Sequence, residues 1–227
     1  MASSRIKPGL LRKMTVRRVL ECCLENGPLS RADLTRETGI SAPTVSKAVV
    51  DLLDSGLLEE GEAPDNALGR PGKRLQLAQD SAQVIGIVLD PHTCEILPAS
   101  LSGQIDTARG ISFATPGQYD ALREKLRGSV AELTVDPTTA TLGIGISTPG
   151  LVNEADQESL FSPNLQAINQ QSPAYDLTND TGFTTVSIQE SRALCLAERF
   201  YGKARGLDDF AMMDITCLLY TSPSHET

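Results

Sequence analysis

The sequence predicts two folding units of different class: an α+β head over residues 1–80 and an α/β body on a mixed sheet over residues 81–216. Three observations carry that division. Apolar residues recur at helical spacing from Val16 to Leu53, whereas strand-like runs set in from Gln83. Between them lies a loop rich in Gly and Pro. The charge also changes sign: residues 1–50 hold nine Lys or Arg against four acids, while residues 81–227 hold eight against eighteen. A chain of 227 residues that is 40% hydrophobic has apolar material for a real core.

In the head, Val16, Val19, Leu20, Cys23 and Leu24 fall on one face of a first helix, which Asn26, Gly27 and Pro28 end. Ser30 is placed as the N-cap of a second helix. Asp33 completes an approximate capping box, and Leu29 and Leu34 occupy the positions of a hydrophobic staple. Gly39 closes this helix after barely two turns by supplying a left-handed residue. A third helix starts at Ser41, with Pro43 in the first turn, where a missing N–H has no acceptor anyway. Val45, Ala48, Val49, Leu52 and Leu53 form its buried stripe. Pro43, Thr44, Lys47, Val50 and Asp51 lie opposite, with Ser46 on the flank.

The Gly-containing turn TGIS between the second and third helices has the geometry of a helix-turn-helix. GLLEE and KRLQLA follow as two strands around the polar loop GEAPDNALGRPG, which makes a wing. Ser41, Thr44, Ser46 and Lys47 are small or cationic, close to the helix start, and not needed by the core. A recognition helix offers such residues to base edges in the major groove. Arg70, Lys73 and Arg74 are expected near the wing tip, where Arg beside Gly and Pro enters a minor groove or clamps phosphate. A basic head on an acidic body points to a polyanion partner for the head alone. The alternative is a three-helix packing module with a solvated basic face. The ordered set of helices, turn and basic wing favours double-stranded DNA.

Composition excludes other classes. No stretch approaches the roughly 18 consecutive apolar residues of a membrane span. The N-terminus is basic but has neither a long apolar run nor a small-residue cleavage site, so a cytoplasmic protein is expected. The five cysteines show no metal-ligand spacing, and His92 and His225 cannot complete a zinc site with them. No metal or cofactor is indicated.

In the body, QVIGIVLD (83–90) reads as a buried strand, and CEILPASLS and IDTARGISFA as two more in a meander. Residues 119–133 form an amphipathic helix with Leu122, Leu126, Val130 and Leu133 on one face. Residues 141–148 are a strand ending in PGLV, and residues 153–183 read as irregular. A short strand at 184–188, a helix at 190–202 and the start of a strand at 208–216 complete the pattern.

GIGISTPGLV, SPNL at 162–165 and VSIQESRALCLAERFYGKARG together make the body resemble the first lobe of the ROK family, whose members are sugar kinases and sugar-responsive repressors. The head, GRPGKRLQL included, resembles the winged helix-turn-helix of ROK repressors. The resemblance implies an actin-like (ribonuclease H-like) fold for residues 83–216. It also implies a dimeric repressor of carbohydrate genes that holds a palindromic operator and responds to a sugar or sugar phosphate. In the family, the Pro-Gly turn, the Asn of SPNL and an Asn-Asp pair line the sugar site. The matching residues are Gly150, Asn164, Gln189 and Glu190. An alternative is that Asn164 merely caps a turn and Glu190 a helix.

Family kinases carry an Asp-x-Gly-Gly-Thr phosphate loop after the first strand. The corresponding stretch is GIVLDPHTCEI, with Val88 at the Asp position and Asp90, Pro91 and His92 in the turn. Pro91 also removes a donor N–H. The kinase Glu-Asn-Asp motif becomes Ile188, Gln189 and Glu190. The resemblance therefore implies a regulator and not an enzyme. A sugar kinase with an appended head and a ligand-independent winged-helix regulator are the alternatives. The resemblance stops after Thr216. The tail CLLYTSPSHET (217–227) has no family counterpart and looks like a translated sequencing adapter, so a longer native gene, with a second lobe and a His/Cys zinc cluster, is expected.

Overall fold

The computed structural model describes residues 8–61 and 73–213. The head opens with helices α1 (Pro8–Asn26), α2 (Arg31–Thr38) and α3 (Ala42–Asp54). Ser30 Oγ accepts from the Asp33 amide at 3.1 Å, and the Asp33 carboxylate accepts from the Ser30 amide at 3.1 Å, so the capping box is closed. Gly39 ends α2 at φ 68°, the left-handed conformation that glycine adopts without strain. The stripe Val45, Ala48, Val49 and Leu52 is buried against Val19, Cys22, Cys23 and Leu34. Burial pushes the Cys23 thiol up to about 12, so it acts as a small apolar group.

Strands β1 (Leu58–Gly61) and β2 (Arg74–Leu77) pair antiparallel, with Leu58 opposite Leu77 and Gly61 opposite Arg74. Leu29 extends this ribbon by two backbone hydrogen bonds with Leu75, of 3.0 and 2.8 Å. The residue predicted as a hydrophobic staple therefore also anchors the wing to the α1–α2 connection.

The body is a five-stranded mixed sheet of order β5-β4-β3-β6-β9. Strands β3 (Ala82–Val88), β4 (Thr93–Ser100) and β5 (Ile111–Ala114) form an antiparallel meander. After α4 (Tyr119–Leu133), β6 (Ala140–Thr148) runs parallel to β3. A hairpin of β7 (Leu151–Asn153) and β8 (Glu158–Phe161) and helix α5 (Pro173–Thr181) precede β9 (Thr185–Gln189), which is parallel to β6. Helix α6 (Glu190–Tyr201) follows at once.

Helices α4 and α5 cover one face of the sheet, burying Leu122, Leu126, Val130 and Leu177 against Ile85, Ile87, Ile96, Ile144 and Ile146. Arg123 clamps Asp180 with two 2.7 Å bonds and Tyr119 donates to Asp176 at 2.6 Å, locking the two helices together. The opposite face exposes Val88, Leu142 and Val186 among the described residues. No described helix is long and apolar enough to cross a membrane.

Three expectations are corrected. Residues 153–183 are not irregular: they form β8, a 3-10 turn at Gln166–Ile168 and α5. Polar residues masked α5, whose inward side is only Ala174 and Leu177 behind Pro173. The third strand spans Ile111–Ala114 instead of starting at Ile105, which makes one isolated bridge to Ala99 before the chain turns away. Residues 208–213 are not extended into a strand, because they find no ladder partner among the described residues. The remainder of that expected strand lies outside the described residues.

Replacing Ser30 by Ala is expected to cost the head about 1 kcal/mol, measured by urea unfolding. The Ser30 hydroxyl and amide hold the Asp33 carboxyl below its ordinary 3.8. A carboxyl depressed in the folded state stabilises it above the unfolded value, and that contribution disappears as pH falls through the folded value. Asp33→Asn is therefore expected to be less stable than wild type at neutral pH, with the gap closing in acid. A gap that survives acidification contradicts this account.

Candidate nucleic-acid interface and sheet-edge site

The α2–α3 pair presents one outward face. Thr44 and Lys47 are exposed on α3, Ser46 is half-buried, and Val50 is 46% exposed beside them. Lys47 makes no ion pair among the described residues, so its charge is available to a ligand. Ser41 holds the N-cap position, yet its hydroxyl does not cap the backbone. It meets the Thr44 hydroxyl at 2.8 Å, fixing that side chain at the helix start. Arg12 reaches Asp51 with contacts of 2.9 and 2.8 Å, pinning α1 against α3.

The wing residues divide. Arg70 lies outside the described residues. Lys73 and Arg74 are not near the tip, because the strand pair closes on Gly61 and Arg74 and leaves both at the base of the loop. Lys73 is ion-paired with Glu60, and Arg74 Nη1 donates to the Pro28 carbonyl at 2.8 Å. Arg74 thereby braces the wing against the end of α1.

At the carboxyl edge of the parallel strands, Thr148 pairs in register with Gln189, placing the end of β6 beside the start of α6. Open α/β sheets bind ligands at this edge. Gly150 turns there at φ 88°, and a Cβ on it would collide with the Phe161 carbonyl and with Ser162. Only glycine allows the Pro149–Gly150 turn to lie this close to the SPNL segment. The Ser162 amide donates to Asn169 Oδ1 at 2.6 Å, while the Ser162 hydroxyl is buried without a partner among the described residues. Asn164 is exposed two residues beyond. Gln189 is the N-cap residue of α6 and Glu190 lies in its first turn. The structure thus brings Gly150, Ser162 and Gln189–Glu190 to one edge, with Asn164 at its rim. Amides, hydroxyls and one carboxylate suit the paired donors and acceptors of a polyol.

The turn after β3 has a different chemistry. Asp90 Oδ1 accepts from the amides of His92 at 2.8 Å and Thr93 at 3.3 Å, and the Asp90 carbonyl accepts from the Thr115 hydroxyl at 2.6 Å. The N–H groups that a phosphate loop would aim at its ligand are already taken by a carboxylate of the same charge sign.

Several residues of this edge escaped the sequence reading. Asn169, not Asn164, secures the SPNL segment. Gln157, at the hairpin tip with φ 57°, accepts from the Ser187 amide at 2.5 Å, and the Thr178 hydroxyl accepts from the Thr185 amide at 3.1 Å. Arg192 of α6 is ion-paired with Glu154 on the same hairpin. The buried hydroxyls of Thr148 and Ser187 bond each other across β6 and β9. None of these contacts has a spacing signal: three join elements 30 or more residues apart, and the Ser162–Asn169 and Thr178–Thr185 bonds depend on how a loop folds back. The positive φ at Gln157 falls on a residue type that does not advertise it.

Comparison with known proteins adds an independent line. The ROK family profile matches residues 91–217 and the MarR family profile residues 13–67. The xylose repressor of Bacillus subtilis is 26% identical over 211 residues, 91% of this chain and 54% of that protein. The DNA-binding transcriptional dual regulator NagC of Escherichia coli is 22% identical over 193 residues, 83% of this chain and 47% of that protein. The chain thus spans about half the length of these curated relatives. Among solved structures, a ROK family transcriptional regulator described as a homolog of the E. coli MLC protein superposes over 84% of this chain and 49% of its own. Its TM-score is 0.69 at 21% identity, which shows the fold.

Gly150→Ala is expected to destabilise the body by about 1–3 kcal/mol, the range for a strained left-handed residue, because the new methyl group also meets fixed backbone. Thermal unfolding of wild type and variant measures it. An unchanged midpoint would show that the turn tolerates a side chain.

Proposed function

Because the chain belongs to the ROK family, with a winged helix-turn-helix ahead of an actin-like lobe, we propose that it is a transcriptional regulator of carbohydrate genes whose head holds operator DNA and whose body responds to a sugar. The observation that carries this reading is the α3 face. Thr44 and Lys47 are exposed on a helix that the Arg12–Asp51 clamp pins to α1, with the Ser41 hydroxyl holding the Thr44 side chain at its start. Ser41 and Ser46 flank them, and Arg70, outside the described residues, is the second contact expected from the sequence. The head ends near residue 80, and the protein acts in the cytoplasm as a homodimer on two half-sites. Repression is the sign favoured by the relatives' names.

The sheet edge is the effector site in this reading. Gly150 gives the close approach, while Asn164, Gln189 and Glu190 supply polar partners. The unpartnered Ser162 hydroxyl supports it, since a buried donor without a mate is a group that a bound hydroxyl or an ordered water completes. Xylose and N-acetylglucosamine, after which the B. subtilis xylose repressor and an N-acetylglucosamine repressor of Escherichia coli O157:H7 are named, are the first sugars to try. The kinase alternative is disfavoured because Asp90 occupies the amides of the turn where phosphate would bind.

Fluorescence anisotropy with duplexes from the gene's own upstream region tests the DNA claim. Affinity is expected to fall steeply with salt, Lys47→Ala to reduce the salt slope by about 1, and Thr44→Ala to weaken binding mainly on the preferred duplex. Salt-independent binding, or wild-type behaviour of both variants, refutes the assignment. Release of the duplex by one of the two sugars supports the effector site, and ATP-dependent phosphorylation of either would restore the kinase reading.

A further inference from the structure

Helix α6 begins where Gln189 pairs with Thr148 and runs 12 residues to Tyr201, a rod of about 18 Å at the usual rise. The chain then folds back on it: the Gly202 amide reaches the carbonyls of Ala197 and Glu198, and the Lys203 amide donates to the Glu198 carboxylate at 2.9 Å. This turn delivers Arg205 to the head. Its Nη2 donates to the Glu25 carbonyl at 2.7 Å and lies 3.5 Å from that of Leu24. Both carbonyls belong to the last turn of α1, where C=O groups have no intrahelical partner and the helix dipole is negative. A cation from the body thus caps the first helix of the head.

A second contact lies close by. Leu101, on the turn after β4, packs against the head core, and Gly103 of the same turn lies under the Tyr201 ring, where no side chain would fit. The end of α6 therefore touches two of the places where body meets head. A polar cleft of about 310 Å³, with Arg18, Glu25, Arg199 and Asp208 on its walls, separates α1 from the segment after α6. Such a seam is able to open without breaking an apolar core.

We propose that α6 is a rod coupling the sheet edge to the head and that Arg205 is its latch. The state of the Gln189–Glu190 end determines whether Arg205 caps α1, and so sets the pose of the head on the body. This rests on reading the sheet edge as the effector site, but the latch is testable without ligand.

Hydrogen exchange on the whole chain, followed by mass spectrometry, compares wild type with Arg205→Ala, Arg205→Lys and Ala197→Gly. The last weakens α6 at an exposed position one turn before its end. Arg205→Ala is expected to speed exchange several-fold over residues 22–29 and 79–81 while residues 122–130 keep their protection. Arg205→Lys should restore part of it. Ala197→Gly should raise exchange at residues 22–29 as well, and the Ala197→Gly/Arg205→Ala double variant should add nothing to Arg205→Ala. Wild-type exchange at 22–29 in Arg205→Ala removes the latch. Faster exchange confined to α6 in Ala197→Gly removes the rod. If Arg205→Ala also loses protection at 122–130, Arg205→Lys decides: exchange at 22–29 slower than in Arg205→Ala supports the latch, exchange as fast as in Arg205→Ala overturns it. Failure of every sugar to bind would remove the effector reading and leave these exchange results standing.

Discussion

Parallel pairing of β6 with both β3 and β9 is the constraint on which the body depends. Parallel neighbours bring their carboxyl ends to one edge, so the chain must cross the sheet between them, and the crossovers are α4 and α5. Their placement leaves the ends of β6 and β9 side by side, with Thr148 against Gln189. A polar edge follows from topology before any particular side chain is chosen. The side chains then specialise it: a glycine turn pressed on the SPNL segment, and a carboxylate-closed turn at the end of β3 where a kinase would need free amides.

The head obeys a different constraint. Two of its three helices, of 8 and 13 residues, are short, and short helices are marginal unless packing and satisfied ends hold them. Each junction shows how this is met. Ser30 and Asp33 close one end of α2 and Gly39 the other; Arg205 covers the carbonyls that end α1. Arg12 binds Asp51, and Arg74 binds the Pro28 carbonyl. Cations that would be read from the sequence as DNA contacts are in part the braces that keep α3 presentable.

The sequence made the periodic elements legible. The stripe Val45–Leu52, the capping box and the bounds of α4 all follow from spacing and capping chemistry, which are local. The ROK motifs located Gly150 and Gln189–Glu190, because a left-handed glycine and a strand–helix junction leave marks in the chain. What stayed hidden is non-local. Helix α5 shows little apolar face, since two buried residues suffice beneath it. Asn169 accepts from the Ser162 amide, a contact set by the fold of the 162–169 loop and not by residue type. Lys73 and Arg74, expected near the wing tip, lie at the base of the loop, where Arg74 pairs with Gly61.

Strand β9 carries a consequence for assembly. It is an outermost strand of its sheet, and such strands ordinarily offer a row of free amides to any extended chain that drifts past. Here the Thr185 and Ser187 amides already donate to side chains of α5 and of the β7–β8 hairpin. Another strand would have to break both bonds before it could dock. The margin at β9 is thereby insulated against addition of a further strand.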